Sequence, residues 1–293
     1  MSINTERKIP VLKPKIKINK GSGYRFVQEV VSKNKLHTVC EEARCPNIFE
    51  CWERRTSTIM ILGDICTRAC GFCSVKTGKP LGLDTMEPYR TAMAVKKMNL
   101  RHVVITSVDR DDLKNDFGSS IWAETISQIH LHLPNCTVEV LTPDFQGDIT
   151  ALTTVFNARP EIFSHNIECI ERISKQVRKQ AVWNRSLDVL RYSIDFGLRT
   201  KTGMMVGLGE TKDEVIATMN EIAKIGVDIF TIGQYLQPTK KHLKVDRYVD
   251  KEEFAFYKNE GLKMGFKVVE SGALVRSSYH ADEQARLAFD SKN

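Results

Sequence analysis

Seven short apolar runs separated by helical patterns constrain the fold of this chain more than any other feature. The strand-like runs cover 58–62, 102–106, 137–141, 161–165, 201–206, 228–232 and 267–270. Between them, apolar residues recur three and four apart near 88–98, 121–133, 148–158, 186–196, 213–224 and 252–265, the spacing of helices with one buried face. Strands alternating with helices of this length indicate βαβ units on a parallel sheet. About six such units indicate a barrel rather than a small open sheet. The expected class is therefore α/β, a partial TIM-type (β/α)6 barrel over 57–272. An N-terminal extension, 1–56, precedes it and a C-terminal segment, 273–293, follows. The extension shows only one short helical pattern, near 24–33.

At 293 residues with 42% hydrophobic side chains, the chain can bury a full core without covalent staples. No run approaches the ~20 apolar residues of a membrane span. The polar, basic start carries no apolar signal-peptide core, so a cytoplasmic protein is expected. Much of the net charge of +7 lies in residues 1–20, either a solvated tail or a docking element.

Six of the eight cysteines fall between Cys40 and Cys73. A secreted disulfide protein would spread them through a short chain, so this packing favours metal binding. Directly after the first strand stands Cys66-Thr-Arg-Ala-Cys70-Gly-Phe-Cys73. Three thiolates this close wrap one face of an iron–sulfur cubane and leave its fourth iron open. Zinc would want four ligands and paired knuckles, and no fourth Cys or His stands nearby. Loops at the C-terminal ends of barrel strands are where chemistry collects. Upstream, Cys40, Cys45 and Cys51 form a second triplet, fifteen positions ahead of Cys66. It implies a second cluster, again one ligand short.

The C-x3-C-x2-C loop, with Phe72 before its last cysteine, resembles the radical S-adenosylmethionine superfamily. With the C-x4-C-x5-C triplet ahead of it, the chain resembles the lipoyl synthases. The resemblance extends through TSVDRDDL (106–113), HNIE (165–168), KTGMMVGLGE (201–210), GQYLQP (233–238) and RSSY (276–279). It implies two [4Fe–4S] clusters and S-adenosylmethionine as cofactors. One electron cleaves the sulfonium to methionine and a 5′-deoxyadenosyl radical, which abstracts hydrogen from an alkyl carbon. In the family the auxiliary cluster is held by the first triplet and a serine of RSSY, here Ser278, and is consumed as the sulfur source. Sulfur enters at carbons 6 and 8 of an octanoyl group on a lysine of a lipoyl carrier protein, an E2 lipoyl domain or the glycine-cleavage H protein. An electron donor such as ferredoxin or flavodoxin and an iron–sulfur cluster carrier are implied as further partners. Neither nucleic acid nor a membrane is.

Carried over by position, Thr106, Ser107, Asn166, Glu168 and Arg178 would contact the methionine and ribose groups of the cofactor. Gly207 and Gly209 would let the backbone approach adenine. Asp109, Asp111 and Asp112 are either part of this site or a solvated acidic loop. His165 reads as a hydrogen-bonded wall residue, and Trp52 as either a shield for the cluster or plain core. Cys136 and Cys169 have no partners in sequence, and Cys136 reads as a small core residue. Ala69, Glu171, Lys179 and Trp183 depart from the family's usual residues and bear on loop shape and carrier docking. Biotin synthases lack the compact upstream triplet, and methylthiotransferases append an RNA-binding domain for which this chain has no room.

Overall fold

A computed structural model describes residues 14–16 and 18–290. Most of the basic 1–20 segment thus lies outside the described residues. The barrel strands are β1 (Thr58–Ile61), β2 (His102–Ser107), β3 (Thr137–Leu141), β4 (Ile162–Ser164), β5 (Arg199–Val206), β6 (Ile229–Gln234) and β7 (Val268–Gly272). They pair in sequence order and all in parallel. Among the described residues no ladder joins β7 to β1. The outer edge of β1 instead takes a two-residue antiparallel strand, His37–Thr38, from the extension.

After each of the first six strands comes one layer helix: α1 (Glu87–Met98), α2 (Ser119–His132), α3 (Ile149–Asn157), α4 (Trp183–Asp195), α5 (Lys212–Ile225) and α6 (Lys251–Met264). Local sequence sets their ends. α5 starts at a capping box in which Thr211 and Glu214 satisfy each other's backbone amides, and it stops at Gly226 in the left-handed region.

Alternation along the strands divides lumen from wall. Ile59, Ile61, Val103, Ile105, Val138 and Val140 are buried in the layer of side chains that meets the helices. Their neighbours Met60, Val104, Thr106 and Leu141 line the lumen. Both faces of the sheet are covered, which is why the runs read as continuously apolar.

Charge closes the lumen's floor. Lys201 Nζ lies 2.8 Å from Glu139 Oε1, and His102 Nε2 lies 3.5 Å from Glu139 Oε2. Burial works to raise the Glu139 carboxyl, and Lys201 and His102 together more than reverse it. Lys201→Ala should cost about 3–5 kcal/mol in urea unfolding, because it strands a buried carboxylate. The pair Lys201→Met with Glu139→Leu should recover most of that loss.

The C-terminal helix Ala281–Asp290 plugs the N-terminal end of the barrel. Its Ala285 and Ala288 pack on Ile162, Ile229 and Val268, at or beside the starts of β4, β6 and β7. The extension adds a helix, Ser22–Lys33, and a shorter one, Ile48–Glu53. Tyr24 and Trp52 join them with ring centroids 4.9 Å apart. No helix among the described residues is long and apolar enough to cross a membrane.

Candidate active site

The loop after β1 is pinned at several points. Its base is pinched where Ile65–Cys66 pairs in parallel with Lys76–Thr77. The Thr67 amide donates to the Asp109 carbonyl at 3.0 Å, and the Gly71 amide to the Val177 carbonyl at 2.9 Å. Two backbone amides, of Arg68 and Asp109, each approach Cys66 Sγ at 3.4 Å. Beneath them the buried Arg68 guanidinium forks onto Asp111 at 2.7 and 2.8 Å and reaches Asp144 at 2.6 Å and Asp109 at 3.2 Å. Burial pushes the Cys66 thiol up to about 12, with Asp109 and Cys73 adding to it. Burial likewise raises Cys70 and Cys73.

The first triplet is held by the extension. Cys40 sits in the turn Val39–Glu42, capped by the Thr38 hydroxyl, and the Cys45 amide donates back to the Cys40 carbonyl at 3.0 Å. Cys51 lies on Ile48–Glu53, beside the fully buried Trp52. Burial raises Cys40 to about 11 and Cys51 to about 12, with Cys45 adding to both and Cys40 adding to Cys51. Trp52 and the Thr58 amide both lie near enough to the Cys40 sulfur to lower its thiol, although the indole Nε1 makes no hydrogen bond among the described residues. The indole is therefore core and sulfur neighbour at once.

The RSSY segment crosses this triplet. A Cβ at Gly233 would collide with the Val275 carbonyl, so bare backbone at β6 lets the segment lie close. Thr58 Oγ1 donates to Ser278 Oγ at 2.7 Å, beside the amide that faces Cys40. Ser277 is engaged elsewhere, accepting from Asn166 Nδ2 at 2.7 Å. Arg276 is half-buried, with Cys45 and Glu168 both acting on its charge. Tyr279 donates to Glu50 at 3.0 Å, and Asn47 to the Leu274 carbonyl at 2.7 Å.

Both triplets and Ser278 line one cavity of about 540 Å³. Phe72, Thr106, Ser107, Asn166, Glu168 and Arg178 line it too. Gly207 and Gly209 do not. At Gly207 (φ 96°) the space a Cβ would need is filled by the Gln234 side chain and the Arg247 carbonyl, so its bareness lets the chain turn closely here. The acidic loop is not freely solvated: Arg68 holds Asp109 and Asp111, and Arg110 holds Asp112 at 2.9 Å. His165 is a buried wall residue, with Nδ1 3.0 Å from the Thr142 carbonyl and Nε2 3.1 Å from Ser186 Oγ. Cys136 and Cys169 are buried and free. Arg68 and Asp144 went unrecognised in the sequence, and Arg276 stood out only as part of the RSSY motif. The signal for the first two was an arginine inside the cysteine loop facing an acidic run.

These residues fit iron–sulfur clusters and a polar ligand. Six free thiols in two groups face one cavity, each held protonated by burial until a metal cation offsets the charge of the thiolate. Around them Thr142 Oγ1, Asn166 Oδ1 and Arg178 Nε are buried without a hydrogen-bond partner among the described residues, a demand that a bound polar molecule meets.

Burial holds His165 down at about 4. A histidine kept neutral in the fold stabilises it fully above the unfolded value of about 6.5 and progressively less as pH falls toward 4. Unfolding free energy should drop by about 1 kcal/mol between pH 7.5 and 5.5 from this group. His165→Gln should flatten that slope in urea titrations.

A partial parallel barrel with a three-thiol loop after its first strand defines a radical S-adenosylmethionine enzyme. The model of the Radical SAM superfamily matches residues 60–222. The fold is similar to the crystal structure of methylornithine synthase, at a TM-score of 0.55 and 13% identity over 72% of this chain and 70% of that one. The sequence is 58% identical to the lipoyl synthase of Rubrobacter xylanophilus, over 94% of this chain and 86% of that protein. It is 50% identical to the mitochondrial lipoyl synthase of Nematostella vectensis, over 97% and 99%. The chain belongs to the lipoyl synthases. It is a radical sulfur-inserting enzyme that uses S-adenosylmethionine and [4Fe–4S] clusters, and its reaction implies a lipoyl carrier protein as substrate.

Proposed function

We propose that Cys66, Cys70 and Cys73 hold the radical cluster, and that Cys40, Cys45, Cys51 and Ser278 hold a second, sacrificial one. Sulfur from the second goes to carbons 6 and 8 of an octanoyl-lysyl carrier. The observation that carries this is the single cavity onto which both thiol triplets open. Bound there, the clusters and S-adenosylmethionine supply hydrogen abstraction from an unactivated alkyl carbon and the sulfur that replaces it.

The chain's own residues position and shield. Thr106 Oγ1 donates to the Leu141 carbonyl and Ser107 Oγ to that of Val108. Their oxygens are left to accept from an ammonium group. Asn166 Oδ1 and Arg178 Nε, both unpartnered, face the same ligand, with Glu168 beside them. Phe72 shields the loop. Met60, Val104, Leu141 and Met205 give the alkyl chain an apolar wall that excludes water. Ser278 is the catalytic residue of this set, because a serine oxygen is a harder donor to iron than thiolate and leaves more readily.

Residues 1–56, 57–272 and 273–293 act in this reading as auxiliary-ligand carrier, radical barrel and closing segment. Eight free cysteines suit the reducing cytoplasm. A one-electron donor such as ferredoxin or flavodoxin and a carrier that rebuilds the spent cluster complete the partners.

The test is anaerobic turnover of cluster-loaded protein with reductant, S-adenosylmethionine and an octanoyl-lysyl peptide. Formation of 5′-deoxyadenosine together with lipoyl peptide is expected. Deoxyadenosine without thiolated product would refute the substrate assignment.

A further inference from the structure

The outer face of the radical-cluster loop is framed by lysines. Ala69, in the middle of that loop, is exposed, and Cys70 beneath it is half-buried. Two segments flank it. The Gly71 amide donates to the Val177 carbonyl at 2.9 Å, and the Leu243 amide donates to the Gly71 carbonyl at 3.0 Å. Gln180 Oε1 accepts from the Ala69 amide at 2.9 Å, and His242 Nε2 lies 2.9 Å from the Cys73 carbonyl. These contacts fix the stretches 172–181 and 237–245 on either side of the thinnest cover over Cys70.

Together the stretches hold Lys175, Lys179, Lys240, Lys241 and Lys244, all exposed, with exposed acids only at their margins, Glu171 and Asp246. Among the described residues none of the five lysines forms an ion pair. Within the first stretch Arg172 is paired, on Glu214, and elsewhere the surface pairs its cations in the same way, as with Lys76 on Asp64. A rim whose lysines outnumber its acids and stand unpaired gathers field lines toward its centre and draws in a partner of opposite charge.

We propose that this rim is the docking surface of an acidic one-electron carrier protein, which delivers its electron through the Ala69–Phe72 face of the loop. The inference rests on the functional reading above, in which the cluster on Cys66, Cys70 and Cys73 must gain one electron per turnover. The balance is simple: the partner loses one electron, the cluster gains one, and no atom or proton changes hands. Proximity favours this partner over others, since electron transfer needs the shortest covered path to the cluster. A carrier bringing an alkyl chain needs the open cavity instead. Electron-transfer encounters are small interfaces, below about 1,200 Å², and a rim around one loop is of that kind.

The probe is a purified acidic flavodoxin, titrated calorimetrically into the cluster-loaded enzyme at low ionic strength. Binding should weaken with added salt. The variant K179E/K241E/K244E should weaken it by about tenfold or more and flatten the salt dependence. Stopped-flow reduction of the cluster by reduced flavodoxin should slow to match, while reduction by methyl viologen does not slow. Unchanged flavodoxin binding and rate in the variant would overturn the proposal. So would equal slowing with both reductants, which would mean a disturbed loop. A raised KM for the octanoylated carrier under methyl viologen, with flavodoxin binding intact, would give the rim to the carrier instead. If the wild-type enzyme makes no deoxyadenosine even with methyl viologen, the functional reading fails, and the calorimetric result still decides the rim.

Discussion

Ser278→Ala is expected to split the reaction in two. Deoxyadenosine formation should persist within about twofold, and lipoyl product should fall about 100-fold, the upper range for disturbing a metal's supporting shell. The reason is local. Ser278 Oγ receives a hydrogen bond from Thr58, whose amide faces the Cys40 sulfur, so the hydroxyl lies against the first triplet and not the second. Ser277→Ala makes the comparison, since its hydroxyl meets Asn166, on the side proposed for S-adenosylmethionine. That variant should raise the KM for S-adenosylmethionine and leave the ratio of lipoyl product to deoxyadenosine unchanged. Liquid chromatography of both products from one reaction reads both variants.

Cys70→Ala should have the opposite signature. Two thiolates cannot retain a cubane that three hold, so deoxyadenosine should fall to background and bound iron should drop by about four per chain. The first triplet should stay loaded, because Cys40, Cys45 and Cys51 belong to the extension and feel one another rather than the barrel loop. The fold should survive as well. Cys70 is only half-buried, and the loop is held by Thr67, Arg68 and Gly71 through bonds that do not involve its sulfur.

The barrel was legible because its two periodicities differ. Strands buried on both faces read as short apolar runs and layer helices as three-and-four spacing, and the boundaries agree within a few residues. Short helices were not legible. Glu171–Val177 and Ile48–Glu53 have seven and six residues, below the length at which helicity is encoded locally, so packing decides them. Ala281–Asp290 is amphipathic, but its apolar stripe is mostly alanine, too weak a signal until the barrel floor is there to cover it.

Within the site, the thiols announced themselves by spacing. Arg68 did not, because its three carboxylate partners come from β2 and β3 loops more than forty residues away. Gly207 is the reverse case: the motif suggests room for adenine, whereas the space that a Cβ would take is filled by Gln234 and Arg247 and the residue lies outside the cavity lining.

The most direct measurement is iron and sulfide content with Mössbauer spectra on anaerobically loaded protein, for the wild type and for one variant of each triplet. The account predicts about eight irons per chain as two cubanes, and about four in either Cys70→Ala or Cys45→Ala. Four irons in the wild type, or zinc in place of iron, would contradict it.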